Sequence, residues 1–279
     1  MTVTTTVAEL REQLASATPP TLLDVRWALG DPHGREHYVE GHIPGAVHVD
    51  LDTELASAPS PEGGRHPLPA IGDLQEAARG WGVREGQPVV VYDDSGNTAA
   101  ARAWWLLRHA GLDQVTLLDG ALSAWRAAGL PLESGLPTDP PPGDVVLRAG
   151  ALPVLDADEA AELPFSGLLL DARADERYRG EVEPVDPRAG HIPGAVSAPT
   201  GRNLAADGTF LPAEELRKRL EELGAGTADR IGVYCGSGVT AAHQIAALEI
   251  AGFEAALFPG SWSAWSADPD RPATKGSRP

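Results

Sequence analysis

A single cysteine in 279 residues excludes an internal disulfide, and with eight scattered histidines that show no ligand spacing it also excludes a cysteine-built metal centre. Positive charge is scarce as well. The 22 Lys and Arg against 40 Asp and Glu leave a formal net charge of −18, which argues against nucleic acid or an anionic membrane as a partner. No apolar run approaches the roughly 18 residues of a spanning helix, and the opening MTVTTTVAELREQL lacks both the basic and the apolar region of an export signal, so a cytoplasmic protein is expected. Aromatic residues make up only 5%, but hydrophobic residues reach 42%, enough to bury a core in one large domain or two ordinary ones. No cofactor is expected. The lone thiol, Cys235, is then either inert filling or a reagent.

What the chain does have is itself, twice. LLDVRW (22–27) returns as LLDARA (169–174), and GHIPGAV (41–47) returns unchanged at 190–196. VVVYDDSGNTAAARAWWLLRHAG (89–111) aligns with IGVYCGSGVTAAHQIAALEIAG (231–252), and LLDGALSAW (117–125) with LFPGSWSAW (257–265). Four matches in one order mean a duplicated domain. The expected division is a copy at 1–133, a proline-rich exposed linker at 134–149 and a second copy at 150–279. Within each copy short apolar strands alternate with helices, which predicts an α/β fold whose mostly parallel sheet carries helices on both faces. In the second copy strands are expected near 167–171, 194–197, 230–234 and 254–258. Helices are expected near 156–162, 212–222, 240–251 and 261–266.

Cys235 falls where a strand gives way to a helix, the edge of an open α/β sheet at which ligands bind. In Cys235-Gly236-Ser237-Gly238-Val239-Thr240 the two glycines can take positive φ, Thr240 can cap the helix, and successive N–H groups can converge on one point. Such a cradle stabilises an anion, and about 2.7 kcal/mol of preference for the thiolate moves a thiol's protonation equilibrium a hundredfold. The equivalent position of the first copy is Asp93, which cannot be a sulfur nucleophile. One copy reads as catalytic and the other does not.

The ordered set of paired LLD(V/A)R, paired GHIPGA, GVYCGSGVTAAH and paired G(A/S)(L/W)SAW resembles the two-domain sulfurtransferases of the rhodanese family, over nearly the whole chain. The resemblance implies tandem rhodanese-like domains and a Cys235 that takes a sulfane sulfur as a persulfide and passes it to a thiol, cyanide or protein acceptor. Gly236, Gly238, Val239 and Thr240 would cradle the persulfide, and Arg177, Asp171 and Arg188 would hold a small anionic donor. Gly236 and Ser237 after the cysteine resemble the mercaptopyruvate type more than the thiosulfate type, which places basic residues there. For mercaptopyruvate enzymes a Ser–His–Asp relay has been proposed, and Ser237, His42 and Asp31 match it here. Cysteine phosphatases, by contrast, need Cys-x5-Arg, and position 241 is Ala241.

Overall fold

A computed structural model of the chain describes residues 2–138 and 140–279, so Met1, at the start of the expected first domain, and Asp139, in the expected linker, lie outside the described residues. VVVY and IGVY are apolar at every position because they are central strands covered on both faces, where a parallel sheet offers no solvent side for polar residues. All eight of these residues are buried.

In the first unit the strands are β1 (Thr4–Thr5), β2 (Thr21–Asp24), β3 (Val47–His48), β4 (Val89–Tyr92) and β5 (Val115–Leu118). They form one sheet in the order β1-β5-β4-β2-β3, and every pairing is parallel. Its helices are α1 (Val7–Leu14), α2 (Gly34–Glu40), α3 (Leu51–Glu54), α4 (Ile71–Gly80), α5 (Ala100–His109) and α6 (Ala121–Ala127). The second unit has β6 (Leu168–Asp171), β7 (Val196–Ser197), β8 (Ile231–Tyr234) and β9 (Ala256–Leu257), parallel in the order β7-β6-β8-β9. Its helices are α7 (Ala157–Glu162), α8 (Asp175–Tyr178), α9 (Ala213–Glu222), α10 (Thr240–Ile250) and α11 (Ser261–Ala267). In each unit the strand that leads to the cysteine position, β4 or β8, lies inside the sheet, so the loop after it starts from a rigid base.

Helix α10 has its residues from Ala241 to Leu248 buried, including the polar His243 and Gln244, which bond Thr200 Oγ1 at 2.7 Å and Asn203 Nδ2 at 2.8 Å. Gly252, at φ 84°, ends its last turn in the left-handed conformation that suits glycine.

The compact units do not follow the sequence halves everywhere. The first comprises Met1–Ser57, Pro69–Ala151 and Ala205–Phe210; the second comprises Ala58–Leu68, Leu152–Leu204 and Leu211–Pro279. Residues 58–68 belong with the second unit because they bond to it: the Arg65 amide donates to Ser263 Oγ at 3.1 Å. Residues 205–210 belong with the first, where the Phe210 amide donates to Asp119 Oδ1 at 2.9 Å. Most of the stretch expected as an exposed linker is indeed exposed, and it is hydrogen-bonded to the first unit. Gly143 donates to Arg79 O at 2.7 Å, Leu147 to Gln75 Oε1 at 3.0 Å and Arg148 to Ala110 O at 2.9 Å.

Candidate active site

Cys235 is a free thiol, buried at the carboxyl end of β8. Its amide donates to Ser261 Oγ at 3.1 Å, and its carbonyl accepts from Trp262 at 3.0 Å. The start of α11 therefore fixes the backbone that carries the sulfur. Gly238, at φ 78°, turns its amide back to donate to Cys235 Sγ at 3.2 Å. A residue with a side chain would hold that conformation only under strain. Val239 is buried and makes the last residue before α10, and Thr240 already lies inside the helix. No side chain caps α10, contrary to the capping role expected of Thr240, because the residue at the N-cap position is Val239.

Gly236 does a different job. It is not left-handed; a side chain there would meet Arg65 Nη2 at 3.0 Å and Arg177 Nη1 at 3.4 Å. Two guanidinium groups thus close on the residue next to the nucleophile. Arg177, the expected substrate arginine, comes from α8, whereas Arg65 comes from the segment 58–68. Their side chains keep 15% and 24% exposure, and the Nε of each is buried without a hydrogen-bond partner. Opposite them stand two carboxylates. Arg177 Nη2 lies 2.7 Å from Glu183 Oε1 and 3.3 Å from Asp186 Oδ2, and Arg65 Nη1 pairs closely with Asp186 Oδ1. Burial pushes the Asp186 carboxyl above its ordinary range, with Arg65 pulling it down and Glu183 pushing it up.

Each member of the expected relay has hydrogen-bond partners within its own unit. Ser237 Oγ lies 2.7 Å from Nδ1 of His66, not of His42. His42 Nδ1 is bonded to Tyr38 O at 2.9 Å with its ring stacked on Tyr38 at 4.0 Å. The second copy repeats this arrangement: His191 Nδ1 meets Tyr178 O at 2.8 Å and stacks on Tyr178 at 3.8 Å. A contact made identically in both copies braces the GHIPGA loop and is structural. Asp31 bonds His37 Nε2 at 3.0 Å and the His33 amide at 2.9 Å, and that amide bond chiefly holds its carboxyl below the usual range.

Two further expectations give way to structural roles. Asp171 is fully buried and spends its carboxylate on Arg173, at 2.6 Å to Nη2 and 3.0 Å to Nε, so it anchors that arginine and has no face left for substrate. Arg188 donates to the carbonyls of Trp265, Ser266, Asp268 and Arg271 at 2.5 to 2.9 Å. Those are the orphan acceptors at the end of α11 and the turn beyond it, and a guanidinium supplies donors enough for all of them. Arg188 is a clamp on the chain end.

Sequence reading missed Arg65, His66, Glu183 and Asp186. The first two lie in GGRHPLP, which has no counterpart among the repeated motifs, and the acids lie in the stretch between Arg177 and GHIPGA that matches no repeated motif. The signal that was available is the run EGGRH itself, an arginine and a histidine behind two glycines in the copy that lacks the cysteine.

A buried thiol at a strand-to-helix loop, with an amide on its sulfur and a serine–histidine pair and two arginines at the two residues that follow it, is an arrangement suited to cysteine-dependent group transfer in a duplicated α/β scaffold. The model of the Rhodanese-like domain matches residues 6–128 and 156–268, and the chain belongs to that family. It is 48% identical over 277 residues to the "Putative thiosulfate sulfurtransferase SseB" of Mycobacterium tuberculosis (strain H37Rv), with 98% of this chain and 96% of that protein aligned. It is 50% identical over 263 residues to the "Probable 3-mercaptopyruvate sulfurtransferase" of Pseudomonas aeruginosa, with 91% and 92% aligned. The crystal structure of Escherichia coli SseA, described as a 3-mercaptopyruvate sulfotransferase, matches with a TM-score of 0.83 and 31% identity over 94% of this chain and all of that one. A sulfurtransferase role is what these findings support. Among the described residues no helix is long and apolar enough to cross a membrane.

Proposed function

We propose that the protein moves sulfur from 3-mercaptopyruvate through a Cys235 persulfide to a thiol, cyanide or protein acceptor. The observation that carries this reading is the pair of guanidinium groups, Arg65 and Arg177, converging beside Cys235 on a loop that has no charge of its own. Two forks at one point suit a planar carboxylate held by parallel hydrogen bonds. The relatives named for mercaptopyruvate point the same way.

In the first step the Cys235 thiolate bonds to the donor's sulfur as the donor's carbon–sulfur bond breaks. The bond pair passes to carbon as the enolate of pyruvate, and the donor's thiol proton ends on that carbon. Ser237 and His66, 2.7 Å apart, are suited to carry the proton. The Gly238 amide, on Sγ in the resting protein, offsets charge at the sulfur throughout. In the second step an acceptor thiolate takes the outer sulfur, the sulfur–sulfur bond breaks, and the Cys235 thiolate returns.

The competing reading takes thiosulfate as donor, and the name of the Mycobacterium tuberculosis relative favours it. Comparing kcat/KM for the two donors decides between them. A preference of about a hundredfold for mercaptopyruvate is expected, equivalent to about 2.7 kcal/mol in the transition state. A preference of that size for thiosulfate overturns the assignment.

A further inference from the structure

The segment 181–187 inverts the usual order of polarity. Val182 and Val185 stand 50% and 42% exposed, while the side chains of Glu183 and Asp186 are only 4% and 3% exposed. Carboxylates are seldom buried unless paired, and both of these are turned onto arginines. Glu183 spans two, with Oε1 at 2.7 Å from Arg177 Nη2 and Oε2 at 3.4 Å from Arg173 Nη1. It is held there by its own backbone, since Oε1 also accepts from the amides of Val185 at 3.3 Å and Asp186 at 3.2 Å. Asp186 also spans two, sharing Arg177 with Glu183 and pairing with Arg65.

We propose that Glu183 and Asp186 determine donor specificity: by neutralising the Arg65–Arg177 pair beside Cys235 they admit monoanionic sulfur donors and reject dianionic ones. This rests on the donor reading above and deepens it. Two cations facing two fixed anions present no net charge to an incoming ligand, so binding relies on the guanidinium N–H capacity that the acids leave unused; the Nε of Arg65 and Arg177, buried and without a hydrogen-bond partner among the described residues, shows that the acids do not saturate these groups. A monoanionic carboxylate is satisfied by such donors. A dianion brings a second charge that nothing at the site balances and that repels both acids, and in a half-buried site that repulsion is weakly screened. Removing one acid leaves an excess positive charge, to which a dianion responds twice as strongly as a monoanion. The carboxylates act through the arginines and are positioning residues.

The test uses the intact protein with Asp186→Asn and, separately, Glu183→Gln, both close in shape to the native residue. Dissociation constants for sulfate, a dianion, and pyruvate, a monoanion, are measured by calorimetry on the resting protein. In either variant the ratio of sulfate to pyruvate affinity should rise about tenfold or more over the native protein, and the thiosulfate to mercaptopyruvate ratio of kcat/KM should rise with it. A ratio that stays fixed, or two ligands that weaken together, overturns the proposal and leaves the acids as scaffold. If only one variant folds, that variant decides. The binding arm uses no sulfur donor, so a native enzyme that prefers thiosulfate would overturn the donor reading alone, while an unmoved sulfate to pyruvate ratio would overturn this one.

Discussion

The two copies answer one problem, how to hold an anion at the end of a central strand, in opposite ways. In the first copy the anion is built in: Asp93 Oδ1 accepts from the amides of Ser95 at 2.8 Å and Asn97 at 2.7 Å, and Oδ2 from Ala99 at 2.8 Å and Ala100 at 3.1 Å. In the second, Gly238 at 3.2 Å serves a sulfur, and the remaining charge is managed by side chains, Arg65 and Arg177. A carboxylate has two oxygens and closes the cradle for good; a thiol leaves room for another atom. Even with four amides the Asp93 carboxyl stays above its ordinary range, because burial outweighs the bonds. Amides alone do not replace water around a buried anion, and a site that must accept one from outside needs cations as well.

Exchanging function for structure at the two equivalent positions is the sharpest way to break this comparison. Cys235→Ser should lower sulfur transfer at least about a thousandfold and leave the thermal midpoint nearly unchanged. Asp93→Ala should do the reverse. It strands four N–H donors, three of them buried, each buried one costing about 1–3 kcal/mol when unsatisfied, so a loss of about 3–5 kcal/mol is expected in denaturant unfolding, with transfer per folded molecule retained. If Asp93→Ala abolishes transfer at full stability, the first copy is not a passive scaffold. The histidines give a smaller contrast. His66→Ala should cut kcat about ten- to a hundredfold by removing the partner of Ser237, whereas His42→Ala should lower stability and leave kcat alone, since its ring bonds and stacks on Tyr38 and faces Glu133, all within the first unit.

How much of this was legible follows from what the repeat could and could not transmit. Strands and helices were read closely because the apolar runs are short and bounded. The strand expected at 230–234 is Ile231–Tyr234, and the helix expected at 212–222 is Ala213–Glu222. Cys235 sits between strand and helix, where the motif put it. His42 misled because a repeated motif was given a role in one copy only, although His191 does the same work in the other. Arg188 misled because a sequence cannot tell a guanidinium aimed at substrate from one aimed at four carbonyls. His66 and Arg65 were hidden by distance: 171 residues separate His66 from Ser237, and no local pattern reports a contact of that span.

The smallest effect concerns the turn common to both loops. Gly96 stands at φ 72° and Gly238 at φ 78°, so the two copies share the left-handed residue three positions after their anion. An alanine at either site pays the same steric cost, about 1–2 kcal/mol. Both Gly96→Ala and Gly238→Ala should therefore lower unfolding stability by about that amount. They should part company in turnover. At 238 the residue's amide is the donor to Cys235 Sγ, and relaxation of the strained turn rotates that amide off the sulfur; loss of one such bond should slow persulfide formation about tenfold. At 96 no measured rate should change, because Asp93 is held by the amides of Ser95, Asn97, Ala99 and Ala100 and transfers nothing. Equal losses of stability with unequal losses of rate would show that the two loops share a fold and differ in what the turn serves, whereas equal losses of both would mean that the Gly238 amide positions the loop without acting on the sulfur.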